Sequence, residues 1–271
     1  MFPYLHIFGI EIPMYGLLMA TALLTAVGLS YIRTRRRGLD GERLLTIALS
    51  AIVFGIVGAK VLFMVVTYTW DELTAAVKAN GIIWLIQGGL VFYGGLIGGV
   101  IGAFIGAAIA KTKIVRYSDP IVPTLPLAHA IGRMGCFCAG CCYGKVTDSW
   151  IGMSFPSAVT GLAENVKVIP TQLIEAGANL LVFLFLLWFT RKKRVGFTTL
   201  FVYLIIYGVE RFLLEYLRGD EIRGIFGAFS TSQWISIGIV VLAAAGLAAT
   251  AIVSNKRSKK AEKGNTVSQP E

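Results

Sequence analysis

Residues 87–106 read QGGLVFYGGLIGGVIGAFIG. The stretch holds no charged side chain, and at about 20 residues it is long enough to cross a hydrocarbon core roughly 30 Å thick. Its glycines suit that setting, because small residues let membrane helices approach closely. A broken helix is also tolerated in a membrane where it lines a cavity. Working outward from this stretch, which lies inside an apolar segment at about 82–110, comparable segments occur at about 14–32, 44–68, 121–139, 173–190, 197–217 and 232–253. The segment 121–139 is the least uniform, since it contains Pro123, Pro126, His129 and Arg133. The whole chain of 271 residues is 56% hydrophobic with mean hydropathy +0.72. Only 15% of it is charged, against about 25% in a soluble globule. The reading is an all-α membrane protein of about seven transmembrane helices. It forms a single polytopic domain over 1–254, followed by a polar tail, 255–271, expected to be disordered.

Charge supports this reading and orients it. A net charge of +10 in a soluble protein would suggest a nucleic-acid partner. Here most of the 25 Lys and Arg fall in four connecting segments, RTRRRGLDGER, KTKIVR, RKKR and KRSKKAEK, which follow alternate spans. That is the positive-inside pattern. It predicts an outside N-terminus, a cytoplasmic C-terminus and no nucleic-acid partner. The first residues, MFPYLHIFGIEIP, lack a basic stretch and a cleavage site, so insertion through internal spans is expected. The loop at about 140–172 then faces out, and a functional surface is expected near the outer leaflet.

Ionisable residues inside spans are costly and are functional candidates by default. They are Lys60, Arg133, Glu175, Glu210, Arg211 and Glu215. Arg211 and Glu215 are four apart and share a helix face. With Tyr207 and Arg218 they form a polar ridge in YGVERFLLEYLRGD. One reading is an internal ion pair that joins helices; the other is an arginine held upright by a carboxylate to receive an anion. Arg133 lies between Gly132 and Gly135, where a guanidinium fork and exposed backbone amides suit phosphate. Lys60 is either a third cation or a snorkelling anchor. Tyr15 and Tyr93 read individually as interfacial aromatics, and His129 as a packing histidine.

All four cysteines, Cys136, Cys138, Cys141 and Cys142, fall in GRMGCFCAGCCYGK, residues 132–145. Three readings stay open: small apolar side chains packed between helices, a C-x-x-C redox pair, or a soft metal site. A single seven-residue segment is a poor frame for a tetrahedral ion, so no metal site is expected.

These residues together resemble the prolipoprotein diacylglyceryl transferase family. The resemblance runs from IEIPMYGLL through GGLVFYGGLIGG, SDPIVPTLPLAHAIGRMGCF, IPTQLIEA and YGVERFLLEYLRGDE to TSQWISIGIV. The family signature is G-R-x-G-N-F-x-x-G-E-x-x-G-R, and here it begins at Gly132 and ends at Lys145. The resemblance implies transfer of the diacylglyceryl group of phosphatidylglycerol to the lipobox cysteine thiol of a prolipoprotein signal peptide. It implies no metal or other cofactor, and a multi-pass protein of the bacterial inner membrane; the expected state is a monomer. Arg133, Arg211 and Tyr93 are the implied catalytic residues. Arg133, Tyr15, Gly144, Tyr207 and Glu215 are the implied substrate-binding ones.

The chain departs from the family pattern close to the expected thiol chemistry. Tyr93 stands where the family has the histidine of F-H-G-G-L, and a phenol with pKa about 10 is a poor base at neutral pH. Cys136 replaces the signature asparagine, Cys141 the glutamate and Lys145 the last arginine. His129 is an alternative base. Two other readings follow from these departures: a related transferase with a different acceptor, and a non-catalytic lipid-binding or thiol-redox protein.

Overall fold

A computed structural model describes residues 3–7, 9–80, 88–156, 161, 163, 165–219 and 225–266. The chain divides into two compact units, Met1–Ser30 with Ser118–Glu271, and Tyr31–Tyr117.

The second unit is built on two long helices. An N-terminal hairpin, β1 (Tyr4–Ile7) and β2 (Ile10–Pro13), leads into α1 (Met14–Arg36), whose last residues enter this unit. Helix α2 (Gly41–Thr67) starts at Asp40, whose carboxylate accepts the Glu42 amide at 2.9 Å, a side-chain cap for an otherwise unpaired donor. A short helix α3 (Trp70–Asn80) begins with a capping box, in which Glu72 accepts the Thr69 amide at 2.8 Å and Thr69 Oγ1 accepts the Glu72 amide. Helix α4 (Phe92–Ile109) packs along α2 through its glycines. A Cβ at Gly58 would strike the Gly94 carbonyl, and one at Gly106 would lie 2.8 Å from the Ile47 Cα. The contact is backbone on backbone, as the small-residue pattern predicts. Of the segment expected at 82–110, residues 82–87 lie outside the described residues.

In the first unit, a short turn of helix, α5 (Ser118–Ile121), precedes α6 (Thr124–Cys138). The break falls at Val122–Pro123, where a ring without an N–H cannot continue the ladder. A two-stranded pair, β3 (Met153–Ser154) and β4 (Lys167–Val168), leads to α7 (Thr171–Phe189). Helix α8 (Thr198–Leu214) tightens into a 3-10 turn at Glu215–Leu217. The hairpin β5 (Ile225–Phe226) and β6 (Phe229–Ser230) then opens α9 (Thr231–Thr266). Val122, Val182 and Leu186 form a buried cluster under Leu200, Tyr203 and Ile206. At Gly208 a Cβ would lie 2.6 Å from Val240 Cγ2, so α8 and α9 meet closely there.

Large apolar side chains are turned outward, such as Leu24 (75% exposed), Val65 (70%) and Leu242 (74%), while Glu175, Asn179 and Gln172 are buried. That inversion is expected of a chain whose outer solvent is lipid. Among the described residues, five helices are long and apolar enough to cross a membrane: Met14–Arg36, Gly41–Thr67, Phe92–Ile109, Thr171–Phe189 and Thr231–Ser254. A sixth is counted when Ile114–Ile121 and Thr124–Cys138 are taken as one broken span. The segment expected at 197–217 is helical too, but α8 has only 17 residues and carries Glu210 and Arg211. The backbone of α9 stays helical through Thr266, past Asn255, where composition predicts disorder; its Lys, Ala and Glu residues are good helix formers.

Candidate functional site

The site is built from three helices of the first unit. On α6, His129 and Arg133 are four residues apart and therefore share a face. Gly132 and Gly135 on the same helix admit α1: Met19 Sδ would lie 3.3 Å from a Cβ at Gly132, and Tyr15 Cδ2 3.3 Å from one at Gly135. Helix α7 opens after Pro170 and turns Gln172, Glu175 and Asn179 inward, all at most 2% exposed.

Glu175 is the centre of the arrangement. Arg133 Nη2 lies 2.7 Å from its Oε1, and His129 Nε2 lies 3.2 Å from the same atom. Asn179 Nδ2 donates to the Glu175 carbonyl and to Glu210 Oε1, both at 2.9 Å, tying α7 to α8. The Tyr207 ring on α8 lies 5.7 Å from His129. One turn on, Arg211 Nη2 lies 2.9 Å from Glu215 Oε2 and donates to Ser232 Oγ at 3.3 Å. Ser230 Oγ donates to Glu215 Oε1 at 2.9 Å, which joins the pair to the start of α9. Both arginines also act electrostatically on Glu175.

Each arginine keeps a donor in reserve. Arg133 Nε and Arg211 Nη1 are buried and have no protein acceptor among the described residues. A buried donor without a partner costs about 1–3 kcal/mol, more when charged. An anion entering here recovers that energy, and two guanidinium groups suit phosphate oxygens.

The cysteine segment closes one end of the site. Helix α6 ends in a Schellman turn, with Gly140 in the left-handed region (φ 69°), its amide on the Phe137 carbonyl and the Cys141 amide on the Cys136 carbonyl. The chain then folds back, and the sulfurs of Cys136, Cys141 and Cys142 all lie within 4.8 Å of one another. Gln172 Nε2 donates to the Cys141 carbonyl at 2.7 Å, and Thr171 Oγ1 to the Cys142 carbonyl at 2.8 Å. Hydrogen bonds from Cys136 and Cys141, helped by the Arg218 guanidinium, hold the Cys142 thiol below the ordinary thiol range. The Cys141 thiol is pushed up by its two thiol partners.

Gly144 follows in a buried bridge to Arg218, and its amide donates to the Ile169 carbonyl at 2.8 Å. A Cβ there would strike the Leu217 carbonyl and lie 2.7 Å from Thr171 Cγ2.

Of the residues singled out in the sequence, Arg133, Tyr207 and Arg211 come together around Glu175, and Glu215 pairs with Arg211. Tyr15 lies against α6, and Gly144 braces the loop beside Arg218. Tyr93 is the second residue of α4 in the second unit, 49% exposed and edge-on to Phe92. In the sequence Glu175 stands out only as an ionisable residue of a span, and Asn179, Gln172, Ser230 and Ser232 do not stand out as site residues. The spacing of Gln172, Glu175 and Asn179 along one face of an apolar helix was the available signal.

A family model described as prolipoprotein diacylglyceryl transferase matches residues 3–249. A phosphatidylglycerol–prolipoprotein diacylglyceryl transferase of Clostridium tetani is 35% identical over 237 residues, covering 88% of this chain and 92% of its own. One from Clostridium perfringens, named as transferase 2, is 36% identical over 237 residues, covering 87% and 90%. One from Thermosynechococcus vestitus is 30% identical over 237 residues, covering 86% of each.

Proposed function

The chain belongs to the prolipoprotein diacylglyceryl transferase family, and we propose that it moves the diacylglyceryl group of phosphatidylglycerol onto the lipobox cysteine thiol of a prolipoprotein. The observation that carries this reading at the site is the pair of partly buried arginines, each anchored by a carboxylate and each with one buried N–H group that has no protein acceptor among the described residues. Arg133 and Arg211 hold the phosphodiester and stabilise the charge that grows on it as the carbon–oxygen bond breaks. Such donors gain strength in a low-dielectric site and need no reorganisation at the moment of reaction. Glu175 and Glu215 set the arginine geometry. Tyr207 and Tyr15 flank the headgroup, and Gly144 keeps the adjoining loop close to Arg218; Tyr93 is assigned a part in orienting the headgroup on the family resemblance alone.

In this reading the protein lies in the bacterial inner membrane with seven spans, α8 with its 3-10 extension being the shortest. The N-terminus then lies outside and the C-terminus in the cytoplasm, as the basic segments favour. The protein acts as a monomer on phosphatidylglycerol and signal peptides.

The test is release of glycerol phosphate in proteoliposomes of phosphatidylglycerol. Release is expected with a lipobox peptide and absent with its Cys→Ser counterpart. Release that is indifferent to the peptide thiol would overturn the acceptor.

A further inference from the structure

The thiol cluster stands where the family signature has its asparagine and glutamate, and the reading above gives it no task. We propose that Cys136, Cys141 and Cys142 form a three-thiolate site for a thiophilic divalent cation of the zinc type, whose fourth position takes the acceptor thiol. The second half rests on the transferase reading; the first does not.

Three observations point to an ion. The three sulfurs converge within 4.8 Å. A zinc–sulfur bond of about 2.3 Å places tetrahedral thiolates about 3.8 Å apart, so each sulfur needs to move in by less than about 1 Å. Soft thiolates select zinc or Cu(I) over harder ions. The ligand backbones are also fixed. The Schellman turn at Gly140 lays Cys141 over Cys136, while Thr171 and Gln172 hold the carbonyls of Cys142 and Cys141. Cys142 itself sits at φ 64°, a left-handed conformation that costs a non-glycine residue about 1 kcal/mol or more and clusters at functional sites. A short segment is a poor frame for a tetrahedron only if it runs straight, and this one reverses at Gly140.

The electrostatics suit a bound ion with negative ligands. Three thiolates around a divalent cation carry one net negative charge, and Arg133 and Arg218 both lie within electrostatic reach of the cluster. Cys141 is exposed, which gives the ion a way in. Three protein ligands with an open fourth position is the arrangement of catalytic rather than structural zinc.

The chemistry balances without an oxidant. The acceptor thiol gives up its proton on binding the cation, as thiol ligands do. Its sulfur forms a bond to the glyceryl carbon, and the carbon–oxygen bond to phosphate breaks. The electron pair leaves with the phosphate oxygen, and the displaced proton ends on the released glycerol phosphate.

The experiment uses the full-length protein in detergent, reduced, stripped of metal and kept anaerobic. Titration with Co2+ is expected to give a thiolate-to-cobalt charge-transfer band and tetrahedral visible bands that saturate at one equivalent. Cys138→Ser keeps them; Cys141→Ser and Cys142→Ser weaken binding at least tenfold. Because a serine variant can fail to fold, alkylation of the wild type is followed by mass spectrometry as well. Zinc is expected to protect Cys136, Cys141 and Cys142 while Cys138 stays reactive. Absence of the cobalt bands, or equal reactivity of all four thiols with zinc present, overturns the site. A lipobox peptide is expected to shift the visible bands and its Cys→Ser form to leave them; no shift overturns the acceptor role. Transfer as fast without metal as with zinc overturns the ion's part in the reaction and leaves the transferase reading standing. A peptide-dependent shift with no transfer does the reverse.

Discussion

Replacing Glu175 by glutamine tests the tie that positions Arg133. The carboxylate is 2% exposed, lies 2.7 Å from Arg133 Nη2 and lies 3.2 Å from His129 Nε2. Removing one partner of a buried ion pair costs about 3–5 kcal/mol, because the other charge is left uncompensated. Glutamine keeps an oxygen acceptor of the same reach, so roughly half of that cost remains, about 2 kcal/mol. If that loss falls on the transition state, it lowers kcat/KM about 30-fold, at 1.36 kcal/mol per factor of ten. The assay is the initial rate of labelled diacylglyceryl transfer in phosphatidylglycerol proteoliposomes, with thermal unfolding in detergent alongside. A double cycle with Arg133→Gln separates the pair from its surroundings. Residues in direct contact couple by about 0.5–3 kcal/mol, whereas independent ones add within about 0.5 kcal/mol. The expected coupling is at least about 1 kcal/mol. A Glu175→Gln enzyme with wild-type rate and stability, or strict additivity with Arg133→Gln, would show that Glu175 does not position Arg133.

Other substitutions probe the rest of the arrangement. Arg133→Lys keeps the charge but loses the planar fork, and transfer is expected to fall at least about tenfold with little change in melting temperature; the initial rate checks it. Gly144→Ala forces a methyl into the Leu217 carbonyl and the Thr171 side chain, so unfolding scans should show a loss of about 1–3 kcal/mol. Gly58→Ala drives the same kind of clash between α2 and α4 and should lower the melting temperature without touching the arginine site. In the metal-free reduced protein, the lowered Cys142 pKa means that its thiolate persists as pH falls below the ordinary thiol value of about 8.5. Alkylation of Cys142 should therefore continue at pH 6–7, while that of Cys141 is suppressed there. In Arg218→Gln the Cys142 profile should move to higher pH.

The sequence revealed the parts of this molecule that depend on local pattern. Apolar length gave the helices, and the Arg211–Glu215 pair was legible because four residues make one helical turn. The glycine spacing in α4 announced close packing, which the α2 contact realises. What the sequence concealed is set by tertiary contact. Glu175 reaches Arg133 and His129 only because α6 and α7 lie side by side, and Asn179 reaches Glu210 only across α7 and α8. The convergence of three cysteines depends on one reversal at Gly140, where the backbone conformation rather than the spacing decides which sulfurs meet. Helix α8 was harder to count as a span because its polar end belongs to the site. Glu210, Arg211 and Glu215 shorten its apolar run for the sake of the chemistry.

In the proposed reaction two carboxylate-anchored arginines hold the phosphate of phosphatidylglycerol while a peptide thiol takes its diacylglyceryl group. The most direct measurement is transfer of acyl-labelled phosphatidylglycerol to a lipobox peptide in proteoliposomes, wild type beside Arg133→Ala, with folding of both verified. Label is expected on the peptide cysteine with the wild type, with a loss of at least about 100-fold in the variant, the scale on which removal of one preorganised donor acts. A folded wild type that binds the lipid and leaves the peptide unlabelled, or an Arg133→Ala protein that labels it at the wild-type rate, would rule out arginine-held phosphatidylglycerol as the diacylglyceryl donor.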